Sequence, residues 1–209
     1  MTGLWLDLPG GNDPAKVTQP SEQRDFPDWH RGRPRFAVWA IAVDQAEVDE
    51  RLGETRKALQ PLLLPGYERR PHITLHICGF PMGDSLYADD FTISHLQQQI
   101  AAIAALRLKP FGLRIGGAFS FASAACLAVD DDRGTLQGLR RACRRAAPTF
   151  DTTPYVPHVT AGLYKVAWPL VDIERRLRPW AAPQPIAVEV QALDWMVYDS
   201  GRIHHFWQW

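Results

Sequence analysis

Three observations predict that the sequence forms an α+β domain. Short apolar runs of strand length alternate irregularly with polar, helix-prone stretches, which fits antiparallel strands with helices packed outside them. The last apolar run is divided by Asp199, Ser200 and Gly201, a turn sequence that joins antiparallel neighbours. One tetrapeptide pattern also recurs: Pro71-His72-Ile73-Thr74 and Pro157-His158-Val159-Thr160 each open an expected strand, so the two halves of the chain echo each other.

Residues 1–34 are rich in Gly, Pro, Asp and Arg and hold neither the helix nor the strand period. They are expected to form a loosely docked N-terminal arm, with Trp5, Phe26 and Trp29 able to pin parts of it to the body. A single domain, residues 35–209, follows. Its first element is the nearly continuous apolar run 36–43, a buried strand, and residues 45–60 are polar and helix-prone. Pro61 and Leu64-Pro65-Gly66 stop that helix, and residues 72–80, dense in Ile, Leu and Thr, form the next strand. A helix is expected over 94–106. Residues 113–121 and 124–129 read as two strands, with Gly116 and Gly117 marking a bulge in the first. Asp132 can cap a charged helix over 134–147, which Pro148 ends. A strand over 155–164, a helix over 169–180 and a hairpin formed by 186–198 and 202–209 complete the chain.

Composition narrows the function. The 209 residues are 46% hydrophobic, enough for a real core, and 23 basic side chains balance 23 acidic ones. Zero net charge argues against non-specific wrapping of long nucleic acid and favours short substrates met locally. No apolar run approaches the roughly 18 residues of a bilayer span, and the early stretch of residues 4–8 is broken by Asp7. Three scattered cysteines, Cys78, Cys126 and Cys143, form no CxxC pair, so a reducing cytoplasm is expected and neither a disulfide framework nor a zinc knuckle is indicated.

The repeated tetrapeptide points to the chemistry. Strand alternation puts His72 and Thr74 on one face and Ile73 and Leu75 on the other, and likewise His158 and Thr160 against Val159 and Ala161. If the two strands lie close together, two imidazoles and two hydroxyls converge. Cleaving a phosphodiester needs a base for the attacking water, an acid for the departing oxygen and donors for the non-bridging oxygens. Histidine suits both proton roles because its ordinary pKa lies near 6.5, and the set calls for no metal and no cofactor.

The motifs His72-Ile73-Thr74-Leu75 and His158-Val159-Thr160-Ala161, 86 residues apart, resemble those of the two-histidine phosphoesterase superfamily. They are most similar to its branch of 2'-5' RNA ligase-like proteins, also called RNA 2',3'-cyclic phosphodiesterases. The resemblance implies a bilobal fold: two antiparallel sheets with outer helices around a central cleft, in pseudo-two-fold halves that each give one His-x-Thr-x strand. It implies metal-independent opening of a 2',3'-cyclic phosphate to a 2'-phosphomonoester. By that resemblance His158 is the base, His72 the acid, and Thr74 and Thr160 hold the phosphate oxygens; the base and acid labels are exchangeable. The chain departs from the branch in its N-terminal arm, its small Ala161 and its Trp-rich C-terminus, all of which bear on the substrate.

Other residues carry weaker signals. His76 shares the face of His72 by strict parity and is read as structural or as a support behind the site. His204 and His205 face opposite ways, and His30 and His95 have no partners in view. The arginine rows Arg140 with Arg144 and Arg141 with Arg145 read as a solvated helix face, and the acidic triplet at 130–132 as turn and cap. Phe36, Phe119, Tyr155 and Tyr164 are the candidates to stack on a base, Tyr164 first by parity with His158 and Thr160. The expected protein is a monomeric cytoplasmic cyclic phosphodiesterase acting on a cyclic nucleotide or a short RNA end, with no membrane partner. The alternatives are a binding module that uses the same cleft without turnover and a metal-dependent hydrolase. ATP-dependent strand joining is disfavoured by the absence of a Gly-rich phosphate loop.

Overall fold

The computed structural model describes residues 16–202 apart from 23, 68, 148, 152 and 153. The first fifteen residues of the expected arm, His204, His205 and the last strand of the expected tail hairpin lie outside the described residues. Along the chain come α1 (Pro27–His30), β1 (Arg35–Ala42), α2 (Ala46–Leu59), β2 (His72–Pro81), β3 (Asp90–Phe91), α3 (Ile93–Ala105), β4 (Phe111–Ser120) and β5 (Ala124–Asp130). Then follow α4 (Thr135–Ala146), β6 (His158–Leu163), α5 (Leu170–Leu177), β7 (Ile186–Val190) and β8 (Asp194–Asp199). The α+β class holds, and most boundaries fall within three residues of those the sequence predicts.

The strands order as β7-β4-β5-β6-β2-β1-β8, with the short β3 parallel to β2 and every other pairing antiparallel. The two expected sheets are therefore continuous. They join where the motif strands β2 and β6 pair through Ile73 and Val159. β7 and β8 follow each other in the chain yet lie on opposite edges of the sheet, so residues 186–198 make two strands rather than one arm of a hairpin.

One face of the sheet carries the main core. Leu52 and Leu59 of α2, Leu136 and Leu139 of α4 and Ile173 and Leu177 of α5 pack there on Ile73, Leu75, Leu127, Val159 and Ala161. The helices have to cover this face because the inward residues of β1, β2, β5 and β6 are almost all apolar. The other face carries two smaller apolar clusters that flank the motif strands, Phe36 with Val38, Ala40 and Phe80 on one side and Phe119 with Ala124 and Cys126 on the other.

The loosely docked arm is corrected over residues 16–34. Thr18 is fully buried, its N–H donates to Trp168 and its hydroxyl to Val166. Arg33, 3% exposed, donates to both Asp89 and Asp90 and lies over the Phe80 ring. Nothing periodic announces this docking, because isolated residues make it one at a time. No helix among the described residues is long and apolar enough to cross a membrane.

Candidate active site

β2 and β6 are neighbours and antiparallel, so the register at Ile73 and Val159 sets His72 across from Thr160 and Thr74 across from His158. All four side chains then share one face, which is the face of the two small clusters. The repeat extends well beyond the tetrapeptide. On β1, Ala42 and Ala40 pair with His72 and Thr74; on β5, Ala128 and Cys126 pair with His158 and Thr160, at the same spacing of 86 residues. Val43 N–H donates to the Pro71 carbonyl, and Val129 N–H to that of Pro157. The two motifs thus sit in equivalent backbone frames.

Both motif strands bulge at the same place. The register of β2 against β1 slips between Thr74 and His76, and that of β6 against β5 between Thr160 and Gly162, so Leu75 and Ala161 are the extra residues. Each bulge resets the alternation beyond it, and two sequence expectations are corrected for this one reason. His76 turns away from His72 and is 1% exposed, beside Arg140, Arg144 and Asp151. Burial pulls its pKa down to about 4, and neither ring nitrogen has a hydrogen-bond partner among the described residues. Tyr164 likewise turns into the core, fully buried, with its hydroxyl 2.7 Å from that of Ser120, so it is not placed to stack on a ligand.

The imidazoles are held alike. Nδ1 of His72 lies 2.9 Å from the Arg70 carbonyl, and Nδ1 of His158 lies 2.7 Å from that of Val156. A carbonyl only accepts, so in each ring Nδ1 carries the proton and Nε2 is left to take or give one. Burial lowers the pKa of both rings. The carbonyl bonds oppose the shift, while the Arg69 charge adds to it at His72 and His72 itself adds to it at His158. His158 thus senses the charge of His72 across the strands.

Their other neighbours differ. The Tyr198 hydroxyl is 3.4 Å from Nε2 of His72, and the Tyr67 hydroxyl faces the Thr160 side chain. The Arg69 guanidinium lies 5.8 Å from the Tyr67 ring centre and 5.1 Å from that of Tyr198, and it forms no ion pair among the described residues. Beside the other cross-strand pair Phe121 sets its edge against His158, with ring centres 4.9 Å apart, and Phe119 packs behind Phe121 in the same way.

Of the residues the sequence singles out, His72, Thr74, His158 and Thr160 come together. The four aromatics do not reach the imidazoles. Phe36 is 3% exposed among Trp29 and Phe80, Phe119 is 2% exposed behind Phe121, and Tyr155 packs on the helix-covered core under the Arg140 guanidinium. Tyr67, Arg69, Tyr198 and Phe121 are the side chains found around the motif residues instead. The expectation of a solvated arginine face is corrected at Arg140, which is 5% exposed and paired with Asp151. In the acidic triplet, Asp131 accepts from the Leu136 N–H at the start of α4, while Asp130 and Asp132 both pair with Arg114. No group of three or more potential metal ligands converges among the described residues.

An antiparallel sheet with two His-x-Thr-x strands side by side at its centre, equivalent halves and helices on one face defines a two-histidine phosphoesterase fold. Residues 36–202 match the family model described as the 2'-5' RNA ligase superfamily, and the chain belongs to that superfamily. The structure is similar to that of E. coli LigT in apo form, at 16% identity over 80% of this chain and 88% of that one, with a TM-score of 0.50. It is also similar to Usb1 of Kluyveromyces marxianus, at 15% identity over 80% of this chain and 98% of that one, with a TM-score of 0.51. At these identities the likeness is one of fold. Among curated proteins none matches the chain in sequence.

Proposed function

We propose that this protein is a phosphodiesterase that opens a 2',3'-cyclic phosphate, on a short RNA end or a small nucleotide, to a 2'-phosphomonoester without a metal. The observation that carries the reading is the matched pair of imidazoles, each fixed at Nδ1 by a backbone carbonyl and each with Nε2 available to the same face of the sheet. In the reaction, Nε2 of His158 takes a proton from water as its oxygen bonds to phosphorus. The bond from phosphorus to the 3' oxygen breaks, and His72 delivers the Nε2 proton to that oxygen. Thr74 and Thr160 donate to the non-bridging oxygens, Tyr67 holds Thr160 in place, and Arg69 supplies positive charge for the phosphate. Family membership supports phosphoester chemistry, zero net charge supports a short substrate, and three free, buried cysteines fit a reducing compartment.

The test is incubation with the four 2',3'-cyclic mononucleotides and a short RNA bearing a cyclic end, in excess chelator, with products separated by position of the phosphate. The expected outcome is 2'-monophosphate formed with undiminished rate in chelator. Binding without product would replace the reading with that of a binding module, and loss of turnover in chelator would replace it with metal-dependent hydrolysis.

A further inference from the structure

We infer that Arg56 and Arg140, on the opposite face of the sheet from the two imidazoles, are positioning residues that fix the His-x-Thr pairs by holding the bulge in each motif strand. The inference rests on the reading that His72 and His158 perform the chemistry. A bulge takes one residue out of the ladder, and a buried carbonyl at such a place needs another donor. Here both bulge residues, Leu75 and Ala161, are fully buried. Nη1 of Arg140 donates to the Leu75 carbonyl at 3.1 Å, and Nε of Arg56 donates to the Ala161 carbonyl at 2.8 Å. Leu75 and Ala161 are the residues that follow Thr74 and Thr160, so each guanidinium grips the backbone one residue from a phosphate-binding hydroxyl and three from an imidazole.

The two clamps cross. Arg56 belongs to α2, which lies between β1 and the first motif, yet it holds the second motif. Arg140 belongs to α4, which precedes the second motif, yet it holds the first. Each motif is thus anchored by the helix of the other half, and the two imidazoles are tied into one frame in spite of the single pairing at Ile73 and Val159. Arg140 is itself fixed by Asp151 at 2.7 Å and lies over the Tyr155 ring. A third arginine provides the control. Arg51, also on α2, donates to the carbonyls of Ile115 and Gly116 at the bulge of β4, which is not a motif strand.

The test compares Arg56→Met, Arg56→Lys, Arg51→Met and Arg140→Met/Asp151→Asn, the double change avoiding a stranded buried carboxylate. The readouts are melting temperature, kcat and KM on a cyclic mononucleotide, and the nitrogen resonances of the two imidazoles. Arg56→Met should lower kcat roughly 10- to 100-fold with little change in KM, since displacement of a reacting group by an ångström has an effect of this size. It should move the His158 resonances and leave those of His72 in place, while the Arg140 double variant does the reverse. Arg56→Lys, which keeps a cationic donor, should recover part of the rate. Arg51→Met should lower the melting temperature and leave kcat and both imidazoles unchanged. The inference is overturned if Arg56→Met keeps wild-type kcat and an unmoved His158, or if Arg51→Met is as damaging. The resonances need no turnover, so a wild-type protein without activity would sink the functional reading and still leave the clamps to be judged.

Discussion

The two halves of this molecule share a backbone and differ in what surrounds it. Over β1 and β2 on one side and β5 and β6 on the other, register, bulge position and imidazole support repeat at a spacing of 86 residues. Around that frame the corner of His72 and Thr160 is polar, with Tyr67, Arg69 and Tyr198, while the corner of His158 is apolar, with Phe121 backed by Phe119. Backbone symmetry supplies two equivalently held imidazoles, and the unlike surroundings give each a different environment. Charge and hydroxyls gather beside the cross-strand pair of His72 and Thr160, and apolar rings gather beside His158.

The strongest way to break the comparison is to remove one imidazole at a time. His72→Ala and His158→Ala should each lower kcat at least about 1000-fold, with cooperative unfolding retained, because the acid and base steps are both required. Turnover near wild type in either variant would mean that the halves are not equivalent in chemistry and would sink the two-histidine reading. Thr74→Ala and Thr160→Ala should follow, at about 10- to 1000-fold. The unlike corners predict that they differ in degree, since Thr160 is supported by Tyr67. Equal losses would show that the Tyr67 contact adds nothing.

Both imidazoles have pKa values below the ordinary one, so the pH dependence of kcat/KM has a definite sense. Activity needs one ring neutral and the other protonated, and it falls in acid as the base protonates and in alkali as the acid deprotonates. Both limbs should lie on the acid side of about 6.5, the ordinary value for histidine.

How much of this was legible in the sequence follows from what sets each feature. Strand parity is local, so His72 with Thr74 and His158 with Thr160 could be paired from the sequence alone, and the repetition marked them as a set. The bulges at Leu75 and Ala161 depend on which strand lies alongside, which no local pattern states. Parity therefore misplaced both residues read past a bulge, His76 and Tyr164. Tyr198 reaches His72 from a strand 126 residues later, and Tyr67 and Arg69 lie in an aperiodic approach to the first motif, so the polar corner had no periodic signal. The one available clue was the nearness of Tyr67 and Arg69 to His72 in sequence.

His76 and its counterpart Gly162 sharpen the comparison in stability rather than rate. The folded His76 titrates near 4 and the unfolded imidazole near 6.5, so between these values the unfolded chain binds more protons and folding weakens as pH falls. From pH 7 to pH 5 this group should withdraw roughly 2 kcal/mol. His76→Leu should remove that part of the acid sensitivity, measured by denaturant unfolding at the two pH values. An unchanged difference would show that another group is responsible. A side chain at Gly162 would press on Leu63, whose Cδ1 lies 3.0 Å from the position of an added Cβ.

The smallest expected effect tests the origin of the asymmetry itself. Arg69 stands three residues before His72, and the residue three before His158 is Tyr155, which packs on the opposite, helix-covered face. Arg69→Ala should raise KM about tenfold through loss of a charge-assisted contact to phosphate. It should also shift the His72 limb of the pH profile upward, because the Arg69 charge now holds that pKa down. Tyr155→Phe, which removes a buried hydroxyl with no hydrogen-bond partner among the described residues, should change neither. A KM effect from Tyr155 and none from Arg69 would place the anion-binding corner beside His158 and reverse the assignment of the two corners. An upward limb shift without a change in KM would leave Arg69 as a tuner of His72 that does not touch substrate.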